Sequence, residues 1–392
     1  MRAIIIGAGI GGLTAALTLR RAGYDVQVFE QTSALREVGA GIQISPNGSR
    51  LLQRVGLGPA LARRAVRPGA MVMRRWQDGA VLSSQTLANL CESSFGAPYY
   101  HLYRPDLLAL LAEALPADVV RLGHQVIDVF PREDSVEVRF AHGVSTTADL
   151  LIGADGLHSS VREVLFGAES PRYSGTVAYR GLVPAERLPQ LGTSHNMNGW
   201  LGPQRHFMQY YVAAARYVNF VGIAPAAHKH VESWSAQAPV AECLAEFADW
   251  HPEIQSIIRA VEVTGRWALY DREPLAHWSL GRVSLLGDAA HAMLPFMAQG
   301  AVQSVEDAFV LAKCLEHAHH SSIPEALVRY ETIRRPRVSQ VQARARENAH
   351  TFHLPDGEAQ RQRDAELAAV AGTNPLLAST WLYGFDAEAE FG

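Results

Sequence analysis

The run Ala3-Ile4-Ile5-Ile6 leads directly into Gly7-Ala8-Gly9-Ile10-Gly11-Gly12, and Leu13 to Ala22 continues with a helix-compatible pattern. A β-branched strand, a glycine turn and a helix in that order admit few architectures. Gly7 suits the tight turn, Gly9 leaves space for a pyrophosphate to approach the backbone, and Gly12 lets the helix pack closely on the strand. The N–H groups at the helix start then face an anion. Tyr24 to Glu30 reads as a second apolar strand, completing a βαβ unit, and Glu30 at its end can accept hydrogen bonds from a ribose. The N-terminus is therefore predicted to bind a dinucleotide; this unit alone fits NAD or FAD.

Pro46 to Val55 reads as a helix entered through a Pro-Asn turn. Asp149 to Ala154 and Arg282 to Leu286 are short apolar runs of the kind buried in a parallel sheet. Met71 to Ser83 and Gln209 to Ala224 carry β-type residues without helical periodicity and are assigned to a separate, largely antiparallel sheet. Gln299 to His317 and Pro324 to His350 read as helices, the second kinked or broken near Pro336. The prediction is an α/β protein with a Rossmann-like nucleotide domain, an inserted and mainly antiparallel β-sheet substrate domain, and C-terminal helices. The nucleotide domain is expected over residues 1–70, 98–172 and 266–350, the substrate domain over 71–97 and 173–265, and a tail over 351–392.

A chain of 392 residues with 48% hydrophobic content can bury a large core. Its formal net charge of -4 supplies no field to recruit nucleic acid or an anionic membrane. Arg334, Arg335, Arg337, Arg344 and Arg346 read as a solvated helix face with ion pairs. Cys91, Cys243 and Cys314 have no ligand spacing and read as reduced, buried thiols. His317, His319 and His320 lack partner ligands, so no metal is expected. The apolar start is taken up by the glycine turn instead of a signal peptide, which points to the cytoplasm.

Two later segments bear on the choice of dinucleotide. Gly153-Ala154-Asp155-Gly156, running on to Ser159 and Arg162, is a DGxxSxxR pattern, and Gly287-Asp288-Ala289-Ala290-His291 is followed by Pro295, Gln299, Gly300, Ala301, Glu306 and Asp307. Further matching pieces are Gly39-Ala40-Gly41-Ile42, Tyr103-Arg104-Pro105-Asp106-Leu107 and Tyr179-Arg180-Gly181. With these residues the chain, from Met1 to about Arg346, resembles the single-component FAD-dependent aromatic hydroxylases, which include salicylate, 3-hydroxybenzoate and 6-hydroxynicotinate monooxygenases. The resemblance implies non-covalent FAD, with Gly7, Gly9, Gly12, Glu30, Arg104, Asp155, Asp288, Gly300 and Ala301 around it. It also implies NADH or NADPH as a transient co-substrate, O2, a flavin C4a-hydroperoxide, a small aromatic substrate, and a monomer or homodimer. Asp155 reads equally as a turn former before Gly156.

A base near a ring hydroxyl would speed attack on oxygen by roughly 10²- to 10⁴-fold. In Arg205-His206-Phe207-Met208-Gln209-Tyr210-Tyr211, strand alternation places His206, Met208 and Tyr210 on one face. A segment of the 6-hydroxynicotinate enzymes resembles this one in its His and Tyr, so His206 and Tyr210 are the catalytic candidates; a packed, hydrogen-bonded pair is the plain alternative. Gln43, Met208, Pro295 and Phe296 are the candidate substrate wall. Gln43 and Phe296 stand where 6-hydroxynicotinate hydroxylases carry histidines, and many salicylate hydroxylases have a His after the matching proline. His291 reads as structural. The rivals are a flavin epoxidase or oxidase acting on a non-phenolic substrate, a non-catalytic FAD sensor, and an NAD-dependent dehydrogenase.

Overall fold

The computed structural model describes residues 1–35, 40–226, 237–371 and 375–391; Gly39 lies outside them. The β-branched start forms the strand Arg2–Ile6, with Ile4 and Ile5 fully buried, each worth roughly 1.5–3 kcal/mol against exposure. It pairs in parallel with Asp25–Phe29 on one side and Leu150–Gly153 on the other, and Val283–Leu285 extends the parallel set. The helix Ile10–Arg21 follows the glycine turn and packs against the helix Gly300–Leu315. The predicted nucleotide-binding sheet is thus assembled from segments that are far apart in the sequence.

The second sheet has eight strands, in the order Gln237–Ala238, Thr264–Asp271, Arg172–Pro184, Tyr217–Pro225, Arg205–Val212, Met197–Gly202, Ala70–Arg75, Val81–Thr86. It is antiparallel except where Met197–Gly202 runs parallel to Ala70–Arg75. The segment expected as one run from Met71 to Ser83 is a hairpin turned at Gly79, whose φ is +68°. Thr264–Asp271 belongs to this sheet and crosses the division expected between residues 265 and 266. A two-stranded ribbon, Gly41–Ile44 with Tyr100–Tyr103, bridges the layers.

Of the two outcomes expected near Pro336, a kink or a break, the chain does not break: Ile323–Phe352 is one 30-residue helix with Pro336 inside it. A proline inside a helix costs about 3 kcal/mol, and ion pairs around it hold the helix in place. Arg334, fully buried, meets Glu306 at 2.6 Å and Asp307 at 2.7 Å, and Arg337 meets Glu306 at 2.7 Å. The arginine stripe is accordingly only partly a solvated face: Arg335 and Arg344 are exposed, whereas Arg334 is an interior cation whose two carboxylates repay its desolvation. Cys91, Cys243 and Cys314 are free and buried.

Candidate active site

Between the two sheets lies a cleft of about 540 Å³. One wall is nucleotide-type backbone: Gly9, Ile10 and Gly11, then Ala154 and Gly156, the Gly287-Asp288 turn, and Gly300 and Ala301 at a helix start. The opposite wall is the second sheet, with His206, Met208 and Tyr210 all facing in, as their alternation requires. Gln43, Arg104, Pro295 and Phe296 complete the perimeter.

The glycine turn has little tolerance for side chains. Gly7 has a φ of +102°, and a Cβ on it would overlap the Ala154 carbonyl, while one on Gly12 would overlap the Gly7 carbonyl oxygen. Gly9 has nothing within 4 Å of such a position, so it is the open point of the turn. Glu30 accepts from the Ala8 N–H at 2.9 Å and the Thr32 N–H at 2.9 Å. Gly7, Gly12 and Glu30 therefore shape the turn behind the cleft wall.

Asp288 is exposed and opens on the cleft. Its turn is fixed from behind, where Asp307 Oδ2 accepts from the Gly287 N–H at 3.0 Å and from His291 Nε2 at 2.6 Å. Burial alone would raise the Asp307 carboxyl, but His291 and Arg334 outweigh it and hold the group at about 2. His291 thus has a structural role. Asp155 also faces inward: Ser159 Oγ donates to it at 2.5 Å and the Val161 N–H at 3.2 Å, so it braces the turn before the helix Ser160–Phe166. Ser159 and Arg162 of the same pattern line a separate polar hollow of about 300 Å³ with His158 and Arg272.

Tyr210 sits at the junction of the layers. A Cβ on Gly41 would strike both the Tyr210 ring and Asn219, so the bridging ribbon can approach only because residue 41 is glycine. Tyr99 donates to Gln43 Oε1 at 2.7 Å, and the Gln43 amide serves the Tyr210 oxygen. Burial pushes the Tyr210 phenol up to about 12 despite the cation of Arg180, so it remains a donor at neutral pH. Arg180 lies 3.9 Å from the Trp267 ring centre and is brought down to about 9 by burial, which leaves it charged. His206 is held well below its ordinary value by burial and by His353, and is neutral.

Sequence reasoning missed the lining residues Tyr99 and Arg180; the tail residues Trp381, Leu382 and Tyr383 also line the cleft. The tail is tied down by Arg337, which donates to the Trp381 and Leu382 carbonyls, and by Arg54 on Asp386. The Tyr179-Arg180-Gly181 match was a signal for Arg180. Another lay in a count, since the chain has seven methionines and the six after Met1 (71, 73, 197, 208, 293 and 297) all line this cleft.

Residues 1–345 match the family described as FAD binding domain. This chain belongs to that family. The 3-amino-4-hydroxybenzoate 2-monooxygenase PtmB3 of Streptomyces platensis is 45% identical over 386 residues, covering 98% of this chain and 96% of that one. The 6-hydroxynicotinate 3-monooxygenase of Bordetella bronchiseptica is 38% identical over 362 residues, covering 91% and 94%. Among solved structures, Klebsiella pneumoniae HpxO complexed with FAD and uric acid superposes with a TM-score of 0.88 at 30% identity, over 98% of this chain and 97% of that one. The relatives are thus aromatic-ring monooxygenases, and the expected family and fold stand. Among the described residues, no helix is long and apolar enough to cross a membrane, and no group of three or more His, Cys, Asp or Glu could hold a metal.

Proposed function

We propose that this protein is an FAD-dependent monooxygenase that uses NADH or NADPH and O2 to hydroxylate a small aromatic acid carrying a ring hydroxyl. One observation carries the reading: the nucleotide-type wall and the His206, Met208, Tyr210 face enclose a single cleft. The residues present fit FAD. Gly9 leaves an open approach to backbone N–H groups at a helix start, Asp288 offers an exposed carboxylate to polyol hydroxyls, and Arg104 brings a guanidinium for phosphate. Glu30, braced by Ala8, stands at the ribose end, with Gly7 and Gly12 setting the turn and Gly300 and Ala301 closing the far side. Asp155 contributes by holding its turn. When bound and reduced by the nicotinamide coenzyme, FAD supplies the oxygen-activating chemistry.

The chain's own side chains then bind and orient the ring. Arg180 provides a partly desolvated positive charge for a carboxylate, and Tyr210, kept protonated, donates a hydrogen bond beside it. His206, kept neutral, can accept from the ring hydroxyl. Pro295, Phe296 and the methionines exclude water and suit a flat ring. Gln43 and Phe296 leave no second and third histidine for a pyridine substrate, which favours a hydroxylated benzoate, the class that PtmB3's name carries.

Oxygen uptake and NADH or NADPH oxidation by the FAD-loaded protein test this, with 3-amino-4-hydroxybenzoate, 3-hydroxybenzoate, salicylate and 6-hydroxynicotinate as substrates and peroxide assayed in parallel. The expected result is stimulated turnover with a benzoate, little peroxide, and a product one oxygen heavier. Bound FAD without stimulation by any of the four would reject the phenolic-acid reading and leave an epoxidase, an oxidase or a sensor.

A further inference from the structure

His353 lies 147 residues from His206 in sequence and ends the long helix, with its backbone carbonyl accepting from the Gln204 N–H at 3.0 Å. Its Nε2 is 2.7 Å from His206 Nδ1. The two ring centres are 4.9 Å apart and the planes differ by 21°. A nitrogen contact this short at that separation means that the rings meet edge to edge, nearly in one plane, as an N–H···N hydrogen bond requires. Phe296 and Phe352 stand edge-on to the His206 ring and fix its plane.

Such a bond has one donor and one acceptor, and the surroundings decide which is which. The Ala349 carbonyl, one turn back on the same helix, also acts on the His353 ring as an acceptor and favours its protonation. A carbonyl can only accept, so the proton of neutral His353 sits on the nitrogen facing Ala349, and Nε2 is left as an acceptor. His206 must then donate from Nδ1, which leaves its Nε2 bare. That Nε2 has no hydrogen-bond partner among the described residues and belongs to a residue lining the cleft.

We propose that His353 is a positioning residue that locks His206 in the Nδ1-protonated tautomer, so that the cleft is offered a neutral nitrogen acceptor for the hydroxyl of a phenolic substrate. Burial supports this by keeping both rings uncharged: His353 is brought down to about 4. As the substrate O–H bond lengthens, the proton moves to His206 Nε2, and the resulting positive charge is shared with His353 across the short contact. The arrangement follows the nucleophile, base and orienter logic of catalytic triads, with an imidazole as orienter. This rests on the cleft being the substrate site.

The test uses the FAD-loaded protein, labelled with ¹⁵N-histidine, as wild type, His353→Phe and His353→Gln. His353→Phe keeps an aromatic ring but removes the acceptor; His353→Gln keeps an acceptor oxygen. Two-bond proton–nitrogen NMR correlations report the His206 tautomer directly, whatever the substrate. Wild type and His353→Gln should show Nδ1 protonated, and His353→Phe a mixture. The second readout is 4-hydroxy-3-nitrobenzoate, whose phenolate absorbs visibly: its bound phenolate fraction should fall several-fold in His353→Phe and recover in His353→Gln. With a turned-over phenolic substrate, kcat should fall about ten-fold or more in His353→Phe while KM changes little, within the range a placed base supplies. An unchanged His206 tautomer in His353→Phe overturns the proposal. If the tautomer shifts but the probe ignores both His353→Phe and His206→Asn, the role of His353 stands, and it is the reading of the cleft as substrate site that fails.

Discussion

A buried histidine with no partner behaves very differently from a paired one, and His101 is the clearest case. It is fully buried beside the Tyr210 ring, 4.6 Å away, and neither ring nitrogen has a partner among the described residues. Burial pushes it down to about 3, well under the ordinary value near 6.5. Below about pH 6.5 the unfolded chain therefore binds this proton first, so the stability tied to neutral His101 is complete above that pH and is lost progressively as pH falls toward 3. His353 adds the same trend. Urea midpoints at pH 7, 5.5 and 4.5 should fall steeply in the wild type, and His101→Phe should flatten the fall by a cost on the order of a few kcal/mol at the lowest pH. An equal slope in the variant would mean that His101 is hydrated or already charged in the native state. The carboxylates of Glu306, held low by Arg334, and of Asp307, held low by His291 and Arg334, titrate in both proteins and cancel in the comparison.

Turns and strands differ in how they absorb an added methyl group, and two glycines illustrate it, Gly12 in the turn behind one wall of the cleft and Gly199 in the sheet that forms the other. At Gly12 the new carbon would meet the Gly7 carbonyl, backbone that can move only if the turn opens. At Gly199, register partner of both Met208 and Met73, it would come within 2.5 Å of one sulfur and 2.8 Å of the other, and thioether ends can swing aside into the cleft. Gly12→Ala should lose roughly 1–3 kcal/mol of stability and retain FAD poorly. Gly199→Ala should melt within a degree or two of the wild type and keep FAD, while KM for the aromatic acid rises several-fold. Thermal melts with flavin absorbance on the eluted protein, followed by saturation kinetics, separate the two; equal flavin loss in both would place Met208 against the cofactor instead of the ring.

At the scale of the molecule, what could be read from the sequence was whatever is local. The glycine turn, the apolar strands and the alternation of His206, Met208 and Tyr210 each depend on residues within one element. Contacts closing the site are not local: Tyr99 reaches Gln43 across 56 residues and His353 reaches His206 across 147, so no periodicity announces them. Pro336 shows the converse: the helix continues through it where a local rule allows a break, anchored by the buried pairs of Arg334 and Arg337 with Glu306. The placement of the methionines is another property of the whole chain. Brought together from three strands and the stretch holding Met293 and Met297, they make the cleft the place where nearly all the protein's oxidisable thioethers are held. Treated with dilute peroxide, the FAD- and substrate-loaded protein should accumulate sulfoxide at the exposed Met1 well before Met71, Met73 and Met208, and the ligand-free protein should narrow that gap, as peptide mass mapping would read. Equal oxidation with and without ligand would place the ligands elsewhere. Each sulfoxide turns a pliable apolar contact into a rigid polar one, so oxidative ageing would begin at the substrate wall and blunt selectivity while the fold around it stays sound.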